Sequence, residues 1–205
     1  MQNTFNRLWL LAAAILVLLS ACGTSPNSDF YTLRPIADDA KTDAPARQVG
    51  LRVNRFTFPD YLDRPNIVTR QHGNRIEIAE FQRWAGALSQ EFHRVLGANL
   101  GILLNPPQIS VYPADTTFDP EYYLSGSIVA FDGRLDGEVR LDIYWVINDQ
   151  SRRRVLDTHH SVIITKTQGK DYDALVDAYG RAMTEISEEI YRALLVQIKK
   201  ATTKG

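Results

Sequence analysis

Apolar and polar positions along the chain keep two different periods, and the changes between them mark out its elements. Val49, Leu51 and Val53 alternate with polar neighbours, the period of a strand with one buried face. Ile67-Val68-Thr69-Arg70 and Arg75-Ile76-Glu77-Ile78 flank Gln71-His72-Gly73-Asn74, which predicts a hairpin with Gly73 or Asn74 at positive φ. From Glu80 the step lengthens: Phe81, Trp84, Ala85, Leu88, Phe92, Val95, Leu96, Leu100 and Leu103 recur every three or four residues, with Gln82, Arg83, Gln90, Glu91 and Arg94 opposite. That stripe predicts a helix packed on a core, with Trp84 in the core and Pro106-Pro107 as its stop.

Beyond it, Gln108 to Tyr112 reads as a short strand. Val139, Leu141, Ile143, Trp145 and Ile147 then alternate with polar neighbours, flanked by Tyr122 to Phe131 and Arg154 to Lys166. Turn residues join the three as an antiparallel meander. A second stripe runs through Leu175, Val176, Tyr179, Met183, Ile186, Ile190 and Leu194, with Asp171 placed to cap it and Lys199 and Lys200 at its end. It predicts a helix about 40 Å long.

This order of elements predicts an α+β fold: a single domain over 29–200, mainly antiparallel sheet, with two long amphipathic helices packed on one face. The other sheet face, with Arg140, Asp142, Tyr144, Tyr123 and Phe131, is either solvated or set against another subunit. Residues 201–205 are a frayed tail or an extension of the last helix.

The first residues change the picture. Arg7, an apolar run from Leu8 to Leu19, and Leu19-Ser20-Ala21-Cys22 form a secretory leader, because the run falls short of the about 20 residues that span a bilayer. Small residues before the only cysteine predict a lipoprotein signal over 1–21, with cleavage and lipid attachment at Cys22; the alternative is an uncleaved anchor with an incidental thiol. Residues 22–28 are then a lipidated tether. From Gly23 to Ser28 it reaches about 20 Å, so the body lies close to the membrane.

Removing the leader takes the formal charge from −1 to −2, and the scattered charges give no basic face for nucleic acid. With its only cysteine acylated, the mature body has no disulfide, and its stability comes from packing.

Candidate chemistry is sparse. His159 and His160 are neighbours on a strand, so they face opposite ways and share no metal. His72 falls in the hairpin turn and His93 on a helix, neither with an acidic or thiol partner at ligand spacing. Ser125-Gly126-Ser127 lies within a strand, where the glycine permits close packing. Asp38-Asp39 and Glu188-Glu189 read as solvated charges. We therefore expect no catalytic residue, no cofactor and no metal. Candidate partner-binding residues are Asp60, Tyr61 and Arg64, in a turn made rigid by Pro59 and Pro65. The competing reading has Tyr61 and Leu62 plugging the core while Asp63 and Arg64 pair locally.

The run Pro59-Asp60-Tyr61-Leu62-Asp63-Arg64-Pro65, then Ile67-Val68-Thr69-Arg70, then Arg83-Trp84 opening a helix with Arg94-Val95-Leu96, after an early Phe30-Tyr31-Thr32-Leu33 and a lipoprotein leader, resembles the auxiliary lipoproteins of ABC-type intermembrane transport. The resemblance implies a non-catalytic lipoprotein of a lipid-transport system that supports membrane integrity. It is held by its N-terminal lipid on the periplasmic side of the outer membrane, which Gly23 rather than Asp after Cys22 favours. It also implies a homo-oligomeric ring that docks the tip of a periplasm-spanning MCE-domain tunnel protein, with any nucleotide hydrolysis in another subunit. The alternatives are a structural or assembly lipoprotein of the envelope without a transport partner, or a periplasmic hydrolase.

Overall fold

In chain order the elements are β1 (Asp29–Tyr31), β2 (Gly50–Thr57), β3 (Asn66–Arg70), β4 (Ile76–Trp84), α1 (Leu88–Leu104), β5 (Gln108–Val111), β6 (Tyr122–Gly133), β7 (Glu138–Asp149), β8 (Val155–Lys166) and α2 (Tyr172–Thr202). The computed structural model describes residues 27–36, 48–71, 73–104, 108–114, 118–151 and 154–203. The leader with Cys22, Asp38-Asp39, His72, Pro106-Pro107 and Lys204-Gly205 lie outside the described residues.

β6 is the pivot of an eight-stranded mixed sheet. Along one edge it pairs antiparallel with β7, which pairs antiparallel with β8. Along its other edge the first half pairs parallel with β2, and Gly133 near its end pairs with Thr69 of β3. The chain therefore leaves β6 after Thr57 and returns with β3, and the proline-flanked turn bridges the gap. Outward from there, β5 pairs parallel with β2, β4 antiparallel with β3, and β1 parallel with β4. The long ladders are antiparallel, as the alternation predicts. The parallel return of β5 is what a crossover through α1 permits.

Two sequence readings need correction. Phe81 and Trp84 belong to β4, and α1 starts only at Leu88. The Trp84 amide donates to Pro65 O and the Ala85 amide to Tyr31 O, both at 2.7 Å, so pairing on both sides holds this stretch extended although its spacing suits a helix. Trp84 is buried as expected, edge-on to Tyr179 at 5.3 Å. Phe131 is fully buried rather than on the open face. A register shift between Ile128 and Ala130 inserts one residue into β6 and reverses the facing of the residues beyond it. Tyr123 is buried as well.

Both helices cover one face. Tyr179 of α2 packs on Phe131 at 4.7 Å and donates to its carbonyl, while Phe92 of α1 meets Phe131 and Phe56. At 31 residues α2 is about 46 Å long. Asp171 accepts the Ala174 amide at 2.8 Å, and the helix continues through Ala201 and Thr202, so these extend it. In the β3–β4 hairpin it is Gly73, at φ 74°, that takes the positive φ.

Candidate docking surface

Pro59, at φ −61° and ψ 140°, starts a single 3-10 turn over Asp60–Leu62, closed by the Leu62 amide on Pro59 O at 2.9 Å. Leu62 is buried beneath it. Tyr61 is half-buried against the core, and its hydroxyl donates to Asp132 Oδ2 at 2.6 Å. Asp132, near the end of β6, is itself gripped by Arg70 through Nε and Nη2, both at 2.7 Å. Burial first, then the bond and charge of Asp132, push the Tyr61 phenol far above its usual range. The bond to Asp132 holds the Arg70 guanidinium more firmly protonated.

The three residues singled out from the sequence therefore part company. Tyr61 is a latch that fastens the turn to the sheet. Asp60 stays exposed, and Arg64 is half-buried with its Nε lacking a hydrogen-bond partner. Asp60 and Asp63, but neither Tyr61 nor Arg64, stand at the edge of an open groove of about 730 Å³ between the turn, the start of α1 and the end of β5. Its apolar wall includes Phe58 and Tyr112, with the Arg55 guanidinium 5.8 Å from the Tyr112 ring centre.

His93, in the same wall, is a structural residue that the sequence did not reveal. Its Nε2 accepts the Phe56 amide at 2.9 Å, so Nδ1 carries the proton and donates to Ser89 O at 2.5 Å. Burial drives its pKa down and the nearby Arg55 charge adds to that, against the Ser89 carbonyl. The ring is neutral and fastens α1 to β2.

On the open meander face, Tyr144 and His160 stack at 4.1 Å. His160 Nε2 lies 2.8 Å from Asp142, and Arg140 Nη2 lies 2.6 Å from it. Burial raises the Asp142 pKa, but the bonds from His160 and Arg140 outweigh it and hold the carboxyl below its ordinary range. His159 points the other way and stacks on Trp145 at 4.1 Å. Glu188 pairs with Arg192, whereas Glu189 turns to the sheet and accepts from Ser161, which in turn accepts from Trp145 Nε1. Among the described residues no three His, Cys, Asp or Glu side chains stand together as metal ligands.

A family model described as the ABC-type transport auxiliary lipoprotein component matches residues 31–191, from the end of β1 well into α2. The chain is similar to the intermembrane transport lipoprotein PqiC of Escherichia coli K12, at 28% identity over 144 residues, covering 70% of this chain and 75% of that relative. Its likeness to PqiC of Shigella flexneri has the same extent. Among solved structures, a Xanthomonas campestris protein superposes with a TM-score of 0.68 at 15% identity, over 86% of this chain and 99% of that one. The crystal structure of an uncharacterised protein gives 0.67 at 24% identity, over 82% and 99%. At those identities the structural likeness speaks for the fold.

Proposed function

The chain belongs to the family of ABC-type transport auxiliary lipoprotein components, and from that premise we propose that it is a non-catalytic lipoprotein of an intermembrane lipid-transport system. The leader over 1–21 is removed, Cys22 carries the lipid, and Gly23 at the following position favours the periplasmic side of the outer membrane. There the protein assembles as a homo-oligomeric ring and docks the tip of an MCE-domain tunnel protein of the PqiB-like kind. Any nucleotide hydrolysis belongs to another subunit.

The observation that carries the docking reading is the latch. With Tyr61 fixed to Asp132 and Arg70, the turn that presents Asp60 is in place before a partner arrives, and little ordering entropy opposes binding. Asp60 and Arg64 are the proposed charged contacts, with Tyr61 holding them in place.

The test is a mild-detergent pull-down of the full-length lipoprotein from its native envelope, with mass spectrometry of partners and the mass of the complex. We expect an MCE-domain protein together with several copies of this chain, and loss of that protein with Asp60→Lys in a folded chain. A lone monomer at native expression overturns the reading in favour of an envelope-structural role.

A further inference from the structure

The start of the folded body is fixed in place. The Glu91 carboxylate accepts the Thr32 hydroxyl at 2.7 Å and the Leu33 amide at 2.9 Å, Arg94 donates to Leu33 O at 2.5 Å, and Asn99 accepts the Ile36 amide at 2.9 Å. Tyr31 turns inward to meet Tyr172 of α2, with ring centres 6.3 Å apart. Its neighbour Phe30 must then point away from the helices. Phe30 is 67% exposed, more than any other large apolar side chain among the described residues.

The β1/β4 register puts Phe30 beside Arg83 on the same outward face. Arg83 Nε is buried without a hydrogen-bond partner, and no carboxylate among the described residues forms an ion pair with Arg83. An exposed phenyl ring next to an unneutralised guanidinium fits the boundary between acyl chains and phosphate headgroups. There the ring leaves water and the cation meets an anion.

The tether decides between this partner and others. Gly23 to Ser28 are the only residues between Cys22 and β1, a reach of about 20 Å. An anchor at Cys22 therefore keeps this edge of the sheet against the bilayer.

We propose that the Phe30–Arg83 face rests on the membrane, with Phe30 entering the interface and Arg83 on lipid phosphate. The proposal rests on the reading of Cys22 as the lipidated residue. It gives the body a defined orientation on the membrane instead of free swivel on its tether.

The test uses the mature lipoprotein purified from its native membrane and reconstituted into vesicles of phosphatidylethanolamine and phosphatidylglycerol, with or without brominated acyl chains. Removal of the leader leaves Trp84 and Trp145, both buried, so Phe30→Trp adds one reporter at the proposed contact. Val196→Trp serves as the reference. Val196 is 47% exposed and lies about 36 Å along α2 from Tyr172.

We expect brominated chains to quench the added emission of Phe30→Trp and not that of Val196→Trp. Arg83→Gln in the Phe30→Trp background should weaken the contact about fivefold, the effect of one cation at an anionic surface; circular dichroism checks the fold. Equal quenching at both positions, or none at position 30 while the chain stays acylated and vesicle-bound, overturns the proposal and leaves the anchor standing. An unacylated N-terminal peptide by mass spectrometry, with the chain off the vesicles, overturns the anchor reading itself.

Discussion

The Tyr61 hydroxyl stands 2.6 Å from the Asp132 carboxylate across 71 residues of chain, and this one bond joins the proline-flanked turn to the end of the central strand. The two sides of the bond are unequal. Tyr61→Phe removes one donor and leaves Asp132 paired with Arg70, so urea unfolding should show a loss of about 1 kcal/mol. Asp132→Ala strands both the phenol and the guanidinium. Because Arg70 is 37% exposed and can rehydrate, the expected loss is about 2–3 kcal/mol, below that of a fully buried pair.

Gly126 lies where β2 and β6 meet below Phe56. A Cβ there would press on the Tyr144 carbonyl oxygen and the Phe56 ring, well inside contact distance. Gly126→Ala should destabilise by about 2–3 kcal/mol, as an overpacked core does. Gly180, on α2 with nothing near its would-be Cβ, is the control. Gly180→Ala should raise stability by up to about 1 kcal/mol through helix propensity. Urea midpoints of the two variants should move in opposite directions.

The features legible in the sequence are those with local causes. The alternation from Val139 to Ile147 reads as a strand because one face is uniformly buried, and Asp171 reads as a cap because its partner is three residues away. Phe81 and Trp84 misled because their spacing continues the stripe of α1, while the pairings that keep them extended reach Tyr31 and Pro65. The inward turn of Phe131 depends on a bulge that no glycine or proline announces. At the candidate site, the proline turn was legible from its two prolines, but the latch was not, since Asp132, which Tyr61 and Arg70 share, lies 71 residues from Tyr61 and 62 from Arg70. His93 offered no signal either, because its partners are backbone groups.

His93 should give stability a pH dependence. Its folded pKa is depressed below the ordinary 6.5, so as the pH falls below 6.5 the unfolded chain takes up a proton that the folded chain refuses. Stability is then full above that value and declines as the pH drops towards the folded pKa. Urea midpoints at about pH 7.5 and 5.5 should show this decline in the natural chain and a weaker one in His93→Gln, which starts lower for want of its bonds. The difference between the two chains separates His93 from the more exposed His159 and His160.

Glu91 couples the start of the folded body to the core through Thr32 and Leu33, and its charge decides how firmly. Burial raises its pKa, but bonds from Arg94, Thr32 and the Leu33 amide outweigh that and bring it below the ordinary 4.5. Its stabilisation is present above pH 4.5 and is lost as the pH falls through the lower folded value. At neutral pH, Glu91→Gln should open the segment after β1 locally. Amide exchange at Leu33 should speed up about tenfold, as expected for the loss of a charged acceptor, while amides in β7 stay protected. Asn99→Ala should do the same at Ile36, whose amide it accepts, and also cost global stability because Asn99 bonds Ser187 of α2 at 3.0 Å. On the proposed membrane contact, Glu91→Gln should also lower the bromolipid quenching of the Phe30→Trp chain without releasing it from vesicles, because the proposed lipid at Cys22 would still hold the chain while the loosened clamp no longer sets its orientation.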